Sequence, residues 1–152
     1  MFFVLVLIIP SAFAQKIDME LLKGMKPRAI GPAAMSGRVT AVDVVVKDPD
    51  IMYVGAASGG VWKTVSGGIS WESVFDKEST LSVGAIAIQQ DNPSVVWVGT
   101  GEGNPRNSLN GGDGIYKTLD GGKKWKKMGL EKTRHIHRVI IDPKNPNTVY
   151  VA

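Results

Sequence analysis

Apolar residues along this chain gather in short runs rich in Val and Ile, each closed by Asp, Asn, Pro or Gly. The clearest runs are Val39 to Val46, Val83 to Ile88 and Ile136 to Ile141. Each is followed, after a proline, by a second short run: Pro49-Asp50-Ile51-Met52-Tyr53-Val54-Gly55, Pro93-Ser94-Val95-Val96-Trp97-Val98-Gly99, and Pro146-Asn147-Thr148-Val149-Tyr150-Val151-Ala152. Short β-branched segments bounded by turn formers are the signature of strands, and none has the length or period of a helix. The pattern predicts four strands in a first unit (39–46, 51–57, 60–64 and 71–75) and four in a second (83–89, 95–100, 114–118 and 125–128). Two more, 136–141 and 148–152, open a third.

The units repeat in detail. Val61-Trp62-Lys63-Thr64-Val65-Ser66-Gly67-Gly68-Ile69-Ser70-Trp71 returns as Ile115-Tyr116-Lys117-Thr118-Leu119-Asp120-Gly121-Gly122-Lys123-Lys124-Trp125, 54 positions on. Four short antiparallel strands in roughly 45–55 residues are the blade of a β-propeller. The expected fold class is therefore all-β, with blade one at 39–82, blade two at 83–135 and the start of blade three at 136–152. A blade buries its faces only against neighbouring blades, and propellers close with about four or more. The remaining blades of a longer chain are the expected partners; the alternative is a small stand-alone β domain.

The N-terminus reads as a targeting signal. Phe2 to Ile9 is apolar but shorter than the ~20 residues a spanning helix needs, and Pro10-Ser11-Ala12-Phe13-Ala14 supplies a small-residue cleavage site after Ala14. No Lys or Arg precedes the run. Residues 1–14 are thus expected to be a signal peptide and 15–38 a lead-in segment, placing the protein in a secreted or periplasmic compartment with no stable membrane span. The chain has no Cys, so its core must hold without disulfide staples, which fits a bacterial envelope protein better than a small secreted animal domain. Net charge is +4, with Lys123, Lys124, Lys126 and Lys127 flanking Trp125. Lysines on an outer edge strand discourage strand pairing. Nucleic-acid binding would need a broader basic surface with stacking aromatics, so no nucleic-acid partner is expected.

Thr118-x-Asp120-x-Gly122-x-Lys124-Trp125 resembles the Asp-box of bacterial neuraminidase (BNR) repeats. The first copy keeps Thr64, Gly68, Ser70 and Trp71 but carries Ser66 at the Asp position. In such a turn a carboxylate accepts backbone N–H groups, glycine supplies positive φ, and the Trp is expected to close a small satellite core. From about Lys26 onward the chain resembles the N-terminal portion of bacterial sortilin-like (VPS10-type) and BNR-repeat proteins, many of them labelled glycosyl hydrolases. The resemblance is carried by Ile30-Gly31-Pro32-Ala33-Ala34-Met35-Ser36-Gly37-Arg38-Val39, Gly99-Thr100-Gly101-Glu102-Gly103-Asn104-Pro105-Arg106-Asn107-Ser108 and Gly112-Asp113-Gly114-Ile115-Tyr116-Lys117. It implies a propeller with the boxes on its rim, away from any site, so function has to be argued from a site.

Laying one unit on the other exposes such a site. The second-to-third-strand connection is a tight Ser58-Gly59-Gly60 in unit one, but runs from Gly101 to Asp113 in unit two. Long loops on rigid scaffolds carry function. Propeller geometry, taken from the resemblance, brings Arg38 and Arg134-His135-Ile136-His137-Arg138 to the same face. The candidate ligand-binding residues are Arg38, Glu102, Asn104, Arg106, Asn107 and His135, with Arg38, Glu102, Arg106 and His135 as a polar cluster able to hold a carboxylate. The competing reading is that Glu102 and Arg106 tie their own loop. His135 and His137, two apart on a predicted strand, would face one side, but no third ligand completes a zinc site; no metal or cofactor is expected.

Two functions remain open. A glycosyl hydrolase needs two carboxylates across a glycosidic bond; Glu102 and Asp113 are the candidates here, and the remaining catalytic residues are expected beyond this stretch. The resemblance puts a xyloglucanase catalytic Asp two residues before the Gly-Gly turn, where this chain has Ala57, and sialidases use an arginine triad with a Tyr–Glu pair that is not evident here. A binding propeller for peptides, proteins or carbohydrate needs only a shaped polar face.

Overall fold

The computed structural model describes Gly24, residues 37–105 and residues 107–152. The expected signal segment 1–14, the expected lead-in apart from Gly24, Gly37 and Arg38, and the candidate Arg106 lie outside the described residues. The described residues form ten strands: β1 (Val39–Val44), β2 (Met52–Ala56), β3 (Gly60–Thr64), β4 (Glu72–Ser73), β5 (Val83–Ile88), β6 (Val96–Thr100), β7 (Ile115–Thr118), β8 (Lys126–Lys127), β9 (Val139–Ile141) and β10 (Val149–Val151). They form two four-stranded antiparallel meanders, β1-β2-β3-β4 and β5-β6-β7-β8, and the pair β9-β10. These are propeller blades in chain order, with β1, β5 and β9 at one edge of each sheet.

Most strands match the hydrophobic runs to within a residue or two, and the departures have local causes. In blade one the Asp-box turn closes on its own side chains, so the outer strand begins only at Glu72. In blade three the strand begins at Val139 rather than Ile136, because His137 N and Arg138 N both donate to Ala152 O, at 2.7 and 3.0 Å. Two residues facing one partner is a β-bulge. The register also breaks between Val39 and Ala41 and between Val83 and Ala85, so the bulge recurs at the equivalent place in every unit.

The core lies between the sheets. Tyr53, Val61, Phe75, Val83, Val96, Val98 and Tyr116 are buried in one cluster drawn from both full blades, while Ala85, Ala87, Ile115, Ile136 and Val139 form a second between blades two and three. Phe75 meets Tyr116 edge-on at 5.3 Å and Trp125 at 5.1 Å, geometries that add to area burial. Trp125 Nε1 donates to Val74 O at 2.7 Å. The indole therefore plugs into the preceding blade, rather than closing the satellite core expected of it. Its counterpart Trp71 donates to Gly68 O at 3.0 Å within its own turn and is 40% exposed. A second link runs between the blades from Lys63, whose ammonium sits 5.5 Å over the Tyr53 ring and donates to Gly121 O at 3.1 Å. Burial pushes the Tyr53 phenol up to about 12, with the charge of Asp120 adding to it, so this ring stays neutral at the seam.

The two boxes use the same bonds with different side chains. In blade two Thr118 Oγ1 accepts from Gly122 N at 3.0 Å and Asp120 Oδ1 accepts from Lys124 N at 2.9 Å. In blade one Thr64 Oγ1 accepts from Gly68 N at 3.1 Å and Ser66 Oγ accepts from Ser70 N at 3.0 Å. Gly68 and Gly122 sit at φ 90° and 97°, where a side chain is strained. The serine hydroxyl thus replaces the carboxylate bond for bond. Bonds from Lys124 N and Thr118 hold the exposed Asp120 carboxyl below the usual range. Asp120→Ser is expected to cost under about 0.5 kcal/mol and Asp120→Ala about 1 kcal/mol, the cost of losing a comparable capping oxygen. Urea denaturation of both variants checks this; equal losses would mean that the oxygen at this position does not hold the turn.

Candidate functional site

The β6–β7 loop, from Gly101 to Gly114, is fastened at its base by several connections at once. Gly101 N donates to Ser82 O at 2.8 Å and Gly112 N to Arg134 O at 2.7 Å. Glu102 N reaches Asn110 O at 2.9 Å and Ser82 Oγ at 3.1 Å. Ser82 Oγ in turn donates to Asn110 O at 2.9 Å. Thr100 Oγ1, wholly buried, donates to Gly114 O at 2.6 Å and accepts from Asp113 N at 2.9 Å. Asn110 Nδ2 reaches blade one at Ala57 O, 3.3 Å away. Above this base, Asn104, Pro105, Asn107, Ser108 and Leu109 are exposed.

Glu102 is 0% exposed and pairs with the guanidinium of Arg38, whose side chain is 35% exposed. Its partner among the described residues is thus the segment entering blade one. Glu102 Oε2 is buried with no hydrogen bond from the described residues. His135 Nδ1 lies 2.9 Å from the Glu102 carbonyl oxygen. Three of the four cluster residues, Arg38, Glu102 and His135, therefore do meet, with Glu102 beneath the surface as the tie. The candidates Asn104 and Asn107 stand apart from this tie on the exposed tip. His135 and His137 precede β9 rather than lying on a strand, and both turn toward the loop: a Cβ at Gly103 would stand 2.7 Å from the His137 ring, so this glycine makes room for the imidazole.

Asp113 belongs to a different network. Its carboxylate accepts from Ser79, from Tyr116 OH at 2.9 Å and from Lys127 Nζ at 2.9 Å. Partial burial pushes the Asp113 carboxyl up, but the bonds from Ser79, Lys127 and Tyr116 together outweigh it and hold the group below its ordinary range. Its bond and charge hold the Lys127 ammonium up, and burial raises the Tyr116 phenol. Burial followed by the Asp113 charge raises Glu78 nearby. Glu102 and Asp113 thus have separate partners, on different elements. Among the described residues no group of three or more His, Asp or Glu is arranged to hold a metal ion, and no helix is long and apolar enough to cross a membrane.

An open cleft of about 490 Å³ runs along the inner strands, lined by β1, β5 and residues 137–141. Ser82, Ser79, Arg134 and Arg138 were not among the sequence-derived candidates. No spacing marks the serines, since they act through a loop far away in the chain, whereas the run Arg134-His135-Ile136-His137-Arg138 is a visible cluster of charge.

No family profile matches the sequence, and no curated protein matches it. Solved structures do. The chain is similar to the GH74 enzyme of Niastella koreensis, at 20% identity and TM-score 0.59 over 74% of this chain and 17% of that one. It is similar to an ancestral GH74 enzyme at 22% identity and TM-score 0.59, covering 80% of this chain and 17% of that one. YCF48 from Cyanidioschyzon merolae matches at 19% identity and TM-score 0.53, over 80% and 35%. These likenesses establish the fold: the chain is made of β-propeller blades, and it spans about a sixth of the GH74 chains.

The Arg38–Glu102 pair is asymmetric, and that asymmetry can be measured. Removing Arg38 strands a carboxylate with no access to water; removing Glu102 leaves a guanidinium that solvent still reaches. Stranding one charge of a buried pair costs about 3–5 kcal/mol, whereas replacing both by apolar groups is often close to neutral. Because Arg38 is partly exposed, Arg38→Met is expected to lose about 2–3 kcal/mol and the double variant Arg38→Met/Glu102→Leu to lose less than that single one. Urea denaturation of the variants reads the order; a double variant worse than Arg38→Met would show that the pair is a net stabiliser.

Proposed function

We propose that this chain is part of a secreted or periplasmic sortilin-like β-propeller that binds peptides, proteins or glycans through its loop face. The observation that carries the reading is the build of the β6–β7 loop. Its base is held by Ser82, Arg38, Ala57 and Arg134 from other connections, and its tip displays Asn104, Asn107 and Ser108 to solvent. Side-chain amides both donate and accept, and a pre-ordered loop loses little entropy when a ligand binds.

The alternative is a glycosyl hydrolase, favoured by the likeness to GH74 enzymes. Glu102 and Asp113 have separate partners, so in this reading the second carboxylate that hydrolysis needs comes from residues beyond this stretch. Arrays of peptides and of glycans, probed with the protein carrying these blades, test the reading. A captured ligand should bind about tenfold more weakly to Asn104→Ala/Asn107→Ala with an unchanged unfolding midpoint, as expected when polar contacts are lost. Cleavage of a glycan that Glu102→Gln abolishes would replace the binding reading with the enzymatic one.

A further inference from the structure

The recurring bulge has a chemical consequence in blade three. A bulge sets two consecutive residues against one partner and re-aims their side chains. Its paired positions are Thr40 and Ala41 in blade one, Gly84 and Ala85 in blade two, and His137 and Arg138 in blade three, all lining the inner cleft. At their bulge pairs, Thr40-Ala41 and Gly84-Ala85, blades one and two carry no charged residue. Thr40 Oγ1 is already engaged with Val83 O at 2.7 Å and Gly55 O at 3.1 Å. The carboxylate lining the cleft, Asp43, is turned into the backbone, accepting from Val44 N at 2.9 Å and Ile88 N at 2.7 Å. His137 and Arg138 are exposed, and among the described residues neither side chain has a hydrogen-bond or ion-pair partner. The cleft lining beside them exposes more polar than apolar surface.

We propose that this cleft is a binding site for a small carboxylate-bearing ligand, with Arg138 gripping the carboxylate and His137 hydrogen-bonding beside it. A guanidinium fork matches a carboxylate in bidentate geometry, and about 490 Å³ is within the size range of small-ligand sites. The ring of His137 lies against the backbone of Gly103 on the loop side of the cleft. The site uses none of the exposed amides of the loop tip and does not depend on the function proposed for them.

The test is titration of the protein with glucuronate, N-acetylglycine and glucose, followed by calorimetry and by chemical shifts of Gly84, His137 and Val139. At least one carboxylate is expected to bind while glucose does not. Glucuronate alone binding assigns a sugar acid, and N-acetylglycine alone assigns a peptide terminus. Arg138→Ala should weaken binding about tenfold or more, in line with loss of a charged hydrogen-bond pair. Arg138→Lys should weaken it less, and Lys144→Ala, which removes an equal charge on the β9–β10 turn, should leave it unchanged. Near-UV circular dichroism confirms that each variant is folded. Failure of both carboxylates to bind, equal binding of glucose, or equal losses for Arg138→Ala and Lys144→Ala would overturn the proposal.

Discussion

The indole of Trp125 is shared between two blades, and the arrangement of the rest follows from that sharing. It belongs by sequence to the outer turn of blade two, yet its ring packs on Phe75 and its Nε1 donates to Val74 O at the end of blade one. An apolar face alone would let two sheets slide and rotate. A hydrogen bond with a fixed direction, added to an edge-on aromatic stack, selects one relative position. Lys63 reinforces it from the other side, reaching from blade one to Gly121 in the box of blade two. The Asp-box therefore acts as the joint between blades as well as the clasp of its own turn.

The loop face inherits its geometry from that joint. Ser79 and Ser82, on the chain between blades one and two, anchor Asp113 and the base of the long loop. Arg38 enters blade one beneath Glu102, and Arg134 leaves blade two beneath Gly112. The contacts made by Ser79, Ser82 and Arg38 cross between units, so the loop has its shape only where the blades are docked in register. Residues displayed on its tip, Asn104 and Asn107, are then free to serve a ligand without holding the fold.

The blades were legible in the sequence because strand runs and turn formers are local signals, and because two copies could be laid on one another. The long loop was visible for the same reason, as an insertion between matched strands. The contact of Arg38 with Glu102 was anticipated only as membership of a shared face, since Arg38 and Glu102 are far apart in the chain and pairing depends on how the blades dock. The role of Trp125 was misread as a satellite core because periodicity reports which residues are buried, not against which sheet. The bulge was hidden altogether: Thr40, Gly84 and His137 share no chemistry, and only backbone hydrogen bonds show them to be equivalent. With the bulge goes the placement of Arg138, which sequence reasoning saw as part of a basic run without a direction.

If the seam around Trp125 joins the blades into one cooperative body, native-state hydrogen exchange measures it directly. The amides of Val54 and Tyr53 in blade one and of Val98 and Trp97 in blade two should exchange through a single global opening with the same free energy. In Trp125→Ala the two sets should separate, one blade exchanging at lower cost than the other. Blade amides that already exchange independently in the unmodified protein, or that stay coupled after Trp125→Ala, would contradict the account.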